Sequence, residues 1–281
     1  MSDTQRIIKK CAICFAWLLV FSIFSGLFGA IFAVGSLFDD SKDIISHENV
    51  INVAEKSIKE LDIEFESVKF IIRQTGDDFG ISKSEYIDVK TTSGGIYISE
   101  KRRGLFEKRT DTVVLSIPDD FIFEEVSIET GAGKLEIDGL QTKTLDLELG
   151  AGKIDFNNLE VFREADIEGG AGAIVMKSCK FNDLSLDLGV GNFEFDGKLY
   201  GDNEINAGVG AINIMLEGNV DDYMIDVQKG LGKVTVGEEV AKNGSIIGTG
   251  VNKISVDGGI GEIDIDFTEK AIDEVYENNN I

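Results

Sequence analysis

The chain of 281 residues is predicted to be all-β: a single-stranded parallel β-solenoid with about 19–20 residues per coil, preceded by one transmembrane helix. Three observations predict this. A glycine pair, Gly-X-Gly, recurs seven times with first glycines at Gly131, Gly150, Gly170, Gly189, Gly208, Gly230 and Gly259, spaced 19, 20, 19, 19, 22 and 29 residues apart. Apolar and polar residues alternate on both sides of each pair, which is a strand signal. An uncharged apolar run fills residues 11–38. A fixed period near 20 marks a repeat architecture in which one unit cannot bury its apolar face alone.

The N-terminus comes first. Residues 1–10 contain Arg6, Lys9 and Lys10 and are read as a cytoplasmic tail. Residues 11–38 exceed the roughly 20 needed to cross a bilayer and are read as a signal-anchor helix. Asp39, Asp40 and Asp43 follow it, so the positive-inside rule puts everything beyond residue 38 outside the cell. A cleaved signal peptide ending near Ala33-Val34-Gly35 is the competing reading, against which the apolar core is too long. Residues 39–56 form a juxtamembrane linker, and the expected location is the cell membrane, single-pass, with the C-terminal domain extracytoplasmic.

The solenoid is expected over residues 57–267. Its first coils lack the glycine pair and read as an irregular cap: strands over Lys59–Gln74 and Tyr86–Ser99, a charged loop at Lys101–Arg109, a strand at Val113–Ile117, and a turn at Pro118-Asp119-Asp120. Three apolar columns then run through all seven repeats. Three residues before the first glycine stand Ile128, Leu147, Ile167, Leu186, Ile205, Val227 and Val256. Four residues after it stand Leu135, Ile154, Ile174, Phe193, Ile212, Val234 and Ile263. Six after it stand Ile137, Phe156, Met176, Phe195, Ile214, Val236 and Ile265. Each coil therefore has one strand entering a glycine corner and one leaving it. Twenty residues cannot hold a helical crossover, so the coils stack in parallel, and at about 4.8 Å per coil the array spans roughly 30 Å. The residue between the glycines grows from Ala132, Ala151 and Ala171 to Val190, Val209, Leu231 and Ile260. Read as inward-facing, it implies a corner cavity widening toward the C-terminus. The long last spacing implies an insertion around Glu238–Val251 bulging from the last coil. Residues 268–281 form a polar tail.

Charge excludes some functions. Residues 1–38 carry +2, so the remaining 243 carry −26 of the chain's −24. Such an exterior does not bind nucleic acid, and it keeps an edge-rich sheet protein from sticking to its neighbours. Two residues before each first glycine stand Glu129, Glu148, Glu168, Asp187, Asn206, Gln228 and Asp257. Parallel stacking would set four carboxylates about 5 Å apart, each neighbouring pair repelling by about 1 kcal/mol in water. This is a candidate ladder for weak, millimolar binding of divalent cations, with Asn206 and Gln228 able to form an amide ladder beside it. No tight metal site is expected, because the aspartate-glycine nonapeptides of calcium β-rolls are absent.

Chemistry-bearing residues are sparse. His47 lies in the linker and reads as a solvated polar residue. Cys11 and Cys14 face lipid, and Cys179 falls on a core position as an unpaired thiol. Glycine loops also cradle phosphates, but here the motif opens strands rather than helices. Catalytic and cofactor-binding residues are expected to be none. Tyr97, Phe106, Tyr200 and Tyr223 are the exposed aromatics that could stack on sugars.

The segment Val113-Val114-Leu115-Ser116-Ile117-Pro118 leads through Val126-Ser127-Ile128-Glu129-Thr130-Gly131-Ala132-Gly133 to Leu147-Glu148-Leu149-Gly150-Ala151-Gly152. With the ending Asp257-Gly258-Gly259-Ile260-Gly261 through Asp264-Ile265-Asp266-Phe267, it resembles the putative adhesin domain of Gram-positive bacteria. Members are often called LiaG-like and count as a domain of unknown function. The resemblance covers roughly residues 50–267. It implies a β-solenoid exposed outside the cell with a part in adhesion or cell-envelope stress sensing, and it brings no catalytic residues. The expected function is thus a non-enzymatic, membrane-anchored surface binding module. The alternative is a carbohydrate-active β-helix enzyme, which would need a basic groove and a base. Expected partners are the membrane, through the N-terminal helix, an unidentified protein or envelope polymer, and weakly held divalent cations, with no nucleic acid.

Overall fold

The computed structural model describes residues 58–76, 78–82, 86–101 and 112–269, with the backbone of Glu48–Val50. The readings of 1–47 (tail, anchor helix, His47, Cys11 and Cys14), of Phe106 and most of the charged loop, and of the tail beyond 269 lie outside the described residues. Among the described residues no helix is long and apolar enough to cross a membrane. The backbone is extended nearly throughout: β1 (Glu48–Val50), β2 (Glu60–Phe65), β3 (Lys69–Gln74), β4 (Gly80–Ser82), β5 (Ile87–Thr91), β6 (Gly95–Glu100), β7 (Thr112–Ile117), β8 (Ile122–Thr130), β9 (Lys134–Asn182), β10 (Leu184–Tyr200), β11 (Asp202–Leu216), β12 (Tyr223–Gln228), β13 (Leu231–Val236), β14 (Glu239–Val240), β15 (Ser245–Ile247), β16 (Asn252–Asp257) and β17 (Ile260–Phe267). The long strands β9 to β11 bend around corners without leaving the sheet.

The core is the one the alternation predicts. All residues of the three apolar columns are buried, none more than 6% exposed. Burying each such side chain is worth about 1.5–3 kcal/mol, which no single coil could collect alone. At the N-terminal end Phe79, Phe121 and Phe123 pack edge to face, with ring centroids 4.8–6.2 Å apart. A second corner, which the glycine pattern does not reveal, falls eight residues after the first glycine. There Gly139, Asn158 and Ser178 adopt left-handed backbone at φ 85°, 55° and 53°. Glycine and asparagine tolerate that region best.

Stacking is parallel as expected, but the coils do not stack in chain order. At the N-terminal end β2 pairs with β6 on one side and β8 on the other, so the β2–β3 coil lies inside the β6–β7 coil that follows it in sequence. At the C-terminal end β16 and β17 pair with β11 on one side and with β12 and β13 on the other. The last coil of the chain is slipped between two earlier ones. The physical reason lies in the edges. The chain between β13 and β16 runs back antiparallel over the outermost coil, β14 on β13 and β15 on β12, and covers much of an open strand edge. The insertion at Glu238–Val251 is therefore a strap across the end and does not bulge from the last coil. The other end is closed likewise, by β5 on β6, β4 on β7 and β1 on β4.

Two asparagines fix the interposed coil. Buried Asn203 accepts from the Leu184 amide (3.1 Å) and donates to the carbonyls of Tyr200 (3.1 Å) and Lys253 (3.0 Å). Asn252 accepts from the Gly201 amide (3.3 Å) and donates to the Asp222 carbonyl (3.1 Å). Asn252 thus ties the β16 coil to the chain on either side of it, and Asn203 ties β16 to β11 and the end of β10.

Candidate functional site: a groove along the glycine corner

The glycines pack on one another. A Cβ on Gly150 would overlap the carbonyl oxygen of Gly131, and one on Gly170 that of Gly150; the contact repeats at Gly189, Gly208 and Gly259. The first glycine of each pair is needed because the neighbouring coil comes so close, and its own φ is not left-handed. Among the glycine pairs, backbone angles that disfavour other residues occur only at second glycines such as Gly210, at φ 150°.

The residue between the glycines faces outward, so among the described residues the corner cavity does not widen toward the C-terminus: it is about 30 Å³ beside Ala171 and Val190 and about 10 Å³ beside Ile260. Leu231 is 76% exposed and Ile260 54%. Ala132 is exposed, and Ala151, Ala171, Val190 and Val209 are half-buried. The slip in alternation places the first glycine and its successor both on the outside, instead of turning the successor inward. In spatial order the outer column reads Ala171, Val190, Val209, Ile260 and Leu231, passing from alanine through two valines to the equally large isoleucine and leucine.

Because the first glycines have no side chain, a trench opens beside this column. It has a volume of about 770 Å³ and crosses five coils. Its wall is Glu129, Glu148, Glu168, Asp187 and Asn206, and its floor includes Thr130, Leu149 and Leu188 beside the bare glycine backbone. The register sets Glu129 beside Glu148, Glu168 beside Asp187, and Asp187 beside Asn206. The structure thus gathers the four predicted ladder residues on one groove. The register extends the carboxylate column beyond the groove to Glu64, which pairs with Glu129; sequence reasoning missed it because its coil has no glycine pair to count from. The amide ladder is not formed: Asp257 lies between Asn206 and Gln228. Asn206 donates instead to Glu204 of its own strand, at 3.1 Å. Among the described residues no group of three or more His, Cys, Asp or Glu side chains is placed to hold a metal ion.

The strand leaving the corner carries basic residues, each in an ion pair. Lys134 contacts Glu136 and, at 3.7 Å, Asp155; Lys153 lies 2.9 Å from Asp155, and Lys233 3.7 Å from Glu262. Burial works against both charges of the Lys134–Glu136 pair. Their mutual attraction, joined by Lys69 on Glu136, overcomes it, holding the carboxyl below its ordinary range and the ammonium above its own.

The aromatic candidates do not form a platform. Tyr223 is a core residue rather than an exposed one: it is fully buried, its hydroxyl donates to the Glu217 carbonyl at 2.7 Å, and burial pushes the phenol well up. Tyr97 donates to Glu60 at 3.1 Å, and Tyr200 lies under Lys198 with Nζ 5.6 Å from the ring centroid. Cys179 is buried and free as expected, its thiol pushed up to about 11 by burial.

The Toastrack DUF4097 family model matches residues 32–266. A putative cell adhesion protein from Clostridium sporogenes ATCC 15579 is similar at 12% identity and a TM-score of 0.34, over 79% of this chain and 99% of that one. A putative adhesin from Bacteroides fragilis NCTC 9343 is similar at 15% identity and a TM-score of 0.39, over 80% and 98%. No curated protein is matched by the sequence.

Proposed function

The chain belongs to the Toastrack DUF4097 family, and on that premise we propose that it is a non-enzymatic surface module which binds an extended ligand in the glycine-corner groove. The observation that carries this reading is the groove itself. It offers one wall residue per coil, four of them carboxylates, above a floor of glycine backbone and leucine. A trench of identical steps about 4.8 Å apart suits a chain-like partner, such as an envelope polymer or protein segment bearing cationic groups at intervals. The module is tethered by residues 11–38, and adhesion or envelope sensing is the role such a tethered face would serve.

The test uses the full chain in mild detergent, mixed with purified cell-wall fragments of a Gram-positive bacterium and sedimented. Wild type should co-sediment, and the double variant Glu148→Lys/Glu168→Lys should lose about tenfold in binding, since reversing wall charges repels the same cationic groups. The exposed control Phe162→Ser should bind as wild type does. Binding that ignores the double variant would place the ligand elsewhere. Polymer cleavage abolished by a single substitution would replace a binding module with an enzyme.

A further inference from the structure

We propose that the glycine-corner groove takes an extended polypeptide segment in which basic and apolar residues alternate, the basic ones facing its acidic wall and the apolar ones the ridge opposite. This rests on the groove being a binding site and adds which partner it selects.

The two sides of the trench differ in kind. Glu129, Glu148, Glu168 and Asp187 stand in one wall, and none of these carboxylates has an ion pair or a side-chain hydrogen bond among the described residues. Lys134, Lys153 and Lys233, just past the glycines, are by contrast each paired with an acid of their own face. Across the glycines stands the outward column Ala151, Ala171, Val190 and Val209, half-buried and uncharged. Wall and column lie three residues apart on each coil, at most about 10 Å, which is the breadth of an extended chain with side chains on both sides. Such a chain sends successive side chains in opposite directions, so it meets wall and ridge together. Seven extended residues carry four side chains on one side over about 20 Å, and the five coils of the wall cover about 19 Å. Lysine or arginine stems can lie on the floor leucines Leu149 and Leu188 while their charged heads reach the wall.

A second observation points to a ligand. Thr130 stands on that floor, 7% exposed, and its hydroxyl has no hydrogen-bond partner among the described residues. The rest of its floor column is apolar: Leu149, Gly169, Leu188 and Ala207. A hydroxyl taken out of water without a partner is costly, and a main-chain amide of a bound segment supplies that partner. Among the residues lining the trench there is no aromatic ring, so a sugar finds no face to stack on.

Fluorescence anisotropy tests this on the full chain in nanodiscs of zwitterionic lipid, at low salt, where charge contacts are least screened. The probe is a labelled, end-blocked heptapeptide that alternates lysine and valine. Its isomer with all lysines before the valines, and a deacetylated chitin oligomer of equal charge, are the comparisons. The alternating peptide should bind about tenfold or more tightly than either. Thr130→Val, which keeps the shape and removes the hydroxyl, should weaken it about threefold or more. Val190→Ser/Val209→Ser should shrink the preference over the isomer, and Glu148→Gln/Glu168→Gln should weaken both peptides. Equal binding of the two isomers overturns the proposal, because charge alone would then hold them. So does an oligosaccharide that binds as well as the alternating peptide, and so does a preference that survives the ridge variant or an affinity untouched by Thr130→Val. Cell-wall fragments that bind through the groove while neither peptide does would overturn it too, and would leave the binding module standing.

Discussion

At the scale of single residues, the strongest constraint is on atoms that are missing. The Gly150 hydrogen points at the Gly131 carbonyl of the next coil, where a methyl group cannot fit without moving backbone. Gly150→Ala should therefore destabilise the protein by roughly 2–4 kcal/mol, measured by denaturant unfolding, as do other substitutions that force backbone apart. Gly94→Ala, with open space around it, should stay within about 0.5 kcal/mol. Equal effects at both sites would mean that coil contact does not select the glycines. The Lys134–Glu136 pair makes a second residue-scale test. Because the folded carboxyl is held below its ordinary value, its contribution to stability is present above about pH 4.3 and is lost as pH falls through the lower folded value. Glu136→Gln should be less stable than wild type at pH 7, and the gap should narrow as pH falls below the ordinary carboxylate value and through the lower folded one. A gap that stays constant with pH would mean that the carboxylate charge does not matter.

At the scale of elements, strands and core were legible because burial follows alternation, and alternation is written in every repeat. Leu147 and Leu186 could be placed inside, and Glu148 outside, from spacing alone. Coil order was not legible for the same reason: each coil offers its neighbours the same glycines and the same apolar columns, so local pattern cannot tell Gly230 from Gly259 as the neighbour of Gly208. What decides is connection length. The spacings of 22 and 29 residues leave room for a turn after Leu216 and for the strap after Val236, and these let the last coil slip inward. Paired cysteines check the order. Ala211 is the register partner of Glu262, so Ala211→Cys/Glu262→Cys should cross-link on mild oxidation. Ala211→Cys/Lys233→Cys should not, because a whole coil separates them; the opposite result would restore sequential stacking.

At the scale of the whole molecule, charge and topology act together. The proposed anchor makes protease added to intact protoplasts remove everything beyond Asp39 while sparing the first ten residues. A soluble domain beginning near Ser36 would instead mean a cleaved signal. The acidic surface raises the sharper question of whether the ladder answers to metal ions or only to the total ionic atmosphere. Neighbouring ladder carboxylates come from adjacent coils about 4.8 Å apart, each standing on its own strand. A calcium ion takes six to eight oxygens at 2.3–2.6 Å, which one carboxylate per coil does not gather. Screening, by contrast, relieves the repulsion along the whole column whatever the cation. Calcium chloride and sodium chloride at matched ionic strength should then raise the melting midpoint equally, and Glu148→Gln/Glu168→Gln should stabilise the protein at low salt while weakening its response to both. A calcium-specific gain would show itself plainly. At ten times the dissociation constant, binding to the folded state adds about 1.4 kcal/mol. That is enough to move the midpoint by a few degrees beyond the sodium control, and its loss in the double variant would make the ladder a cation site after all.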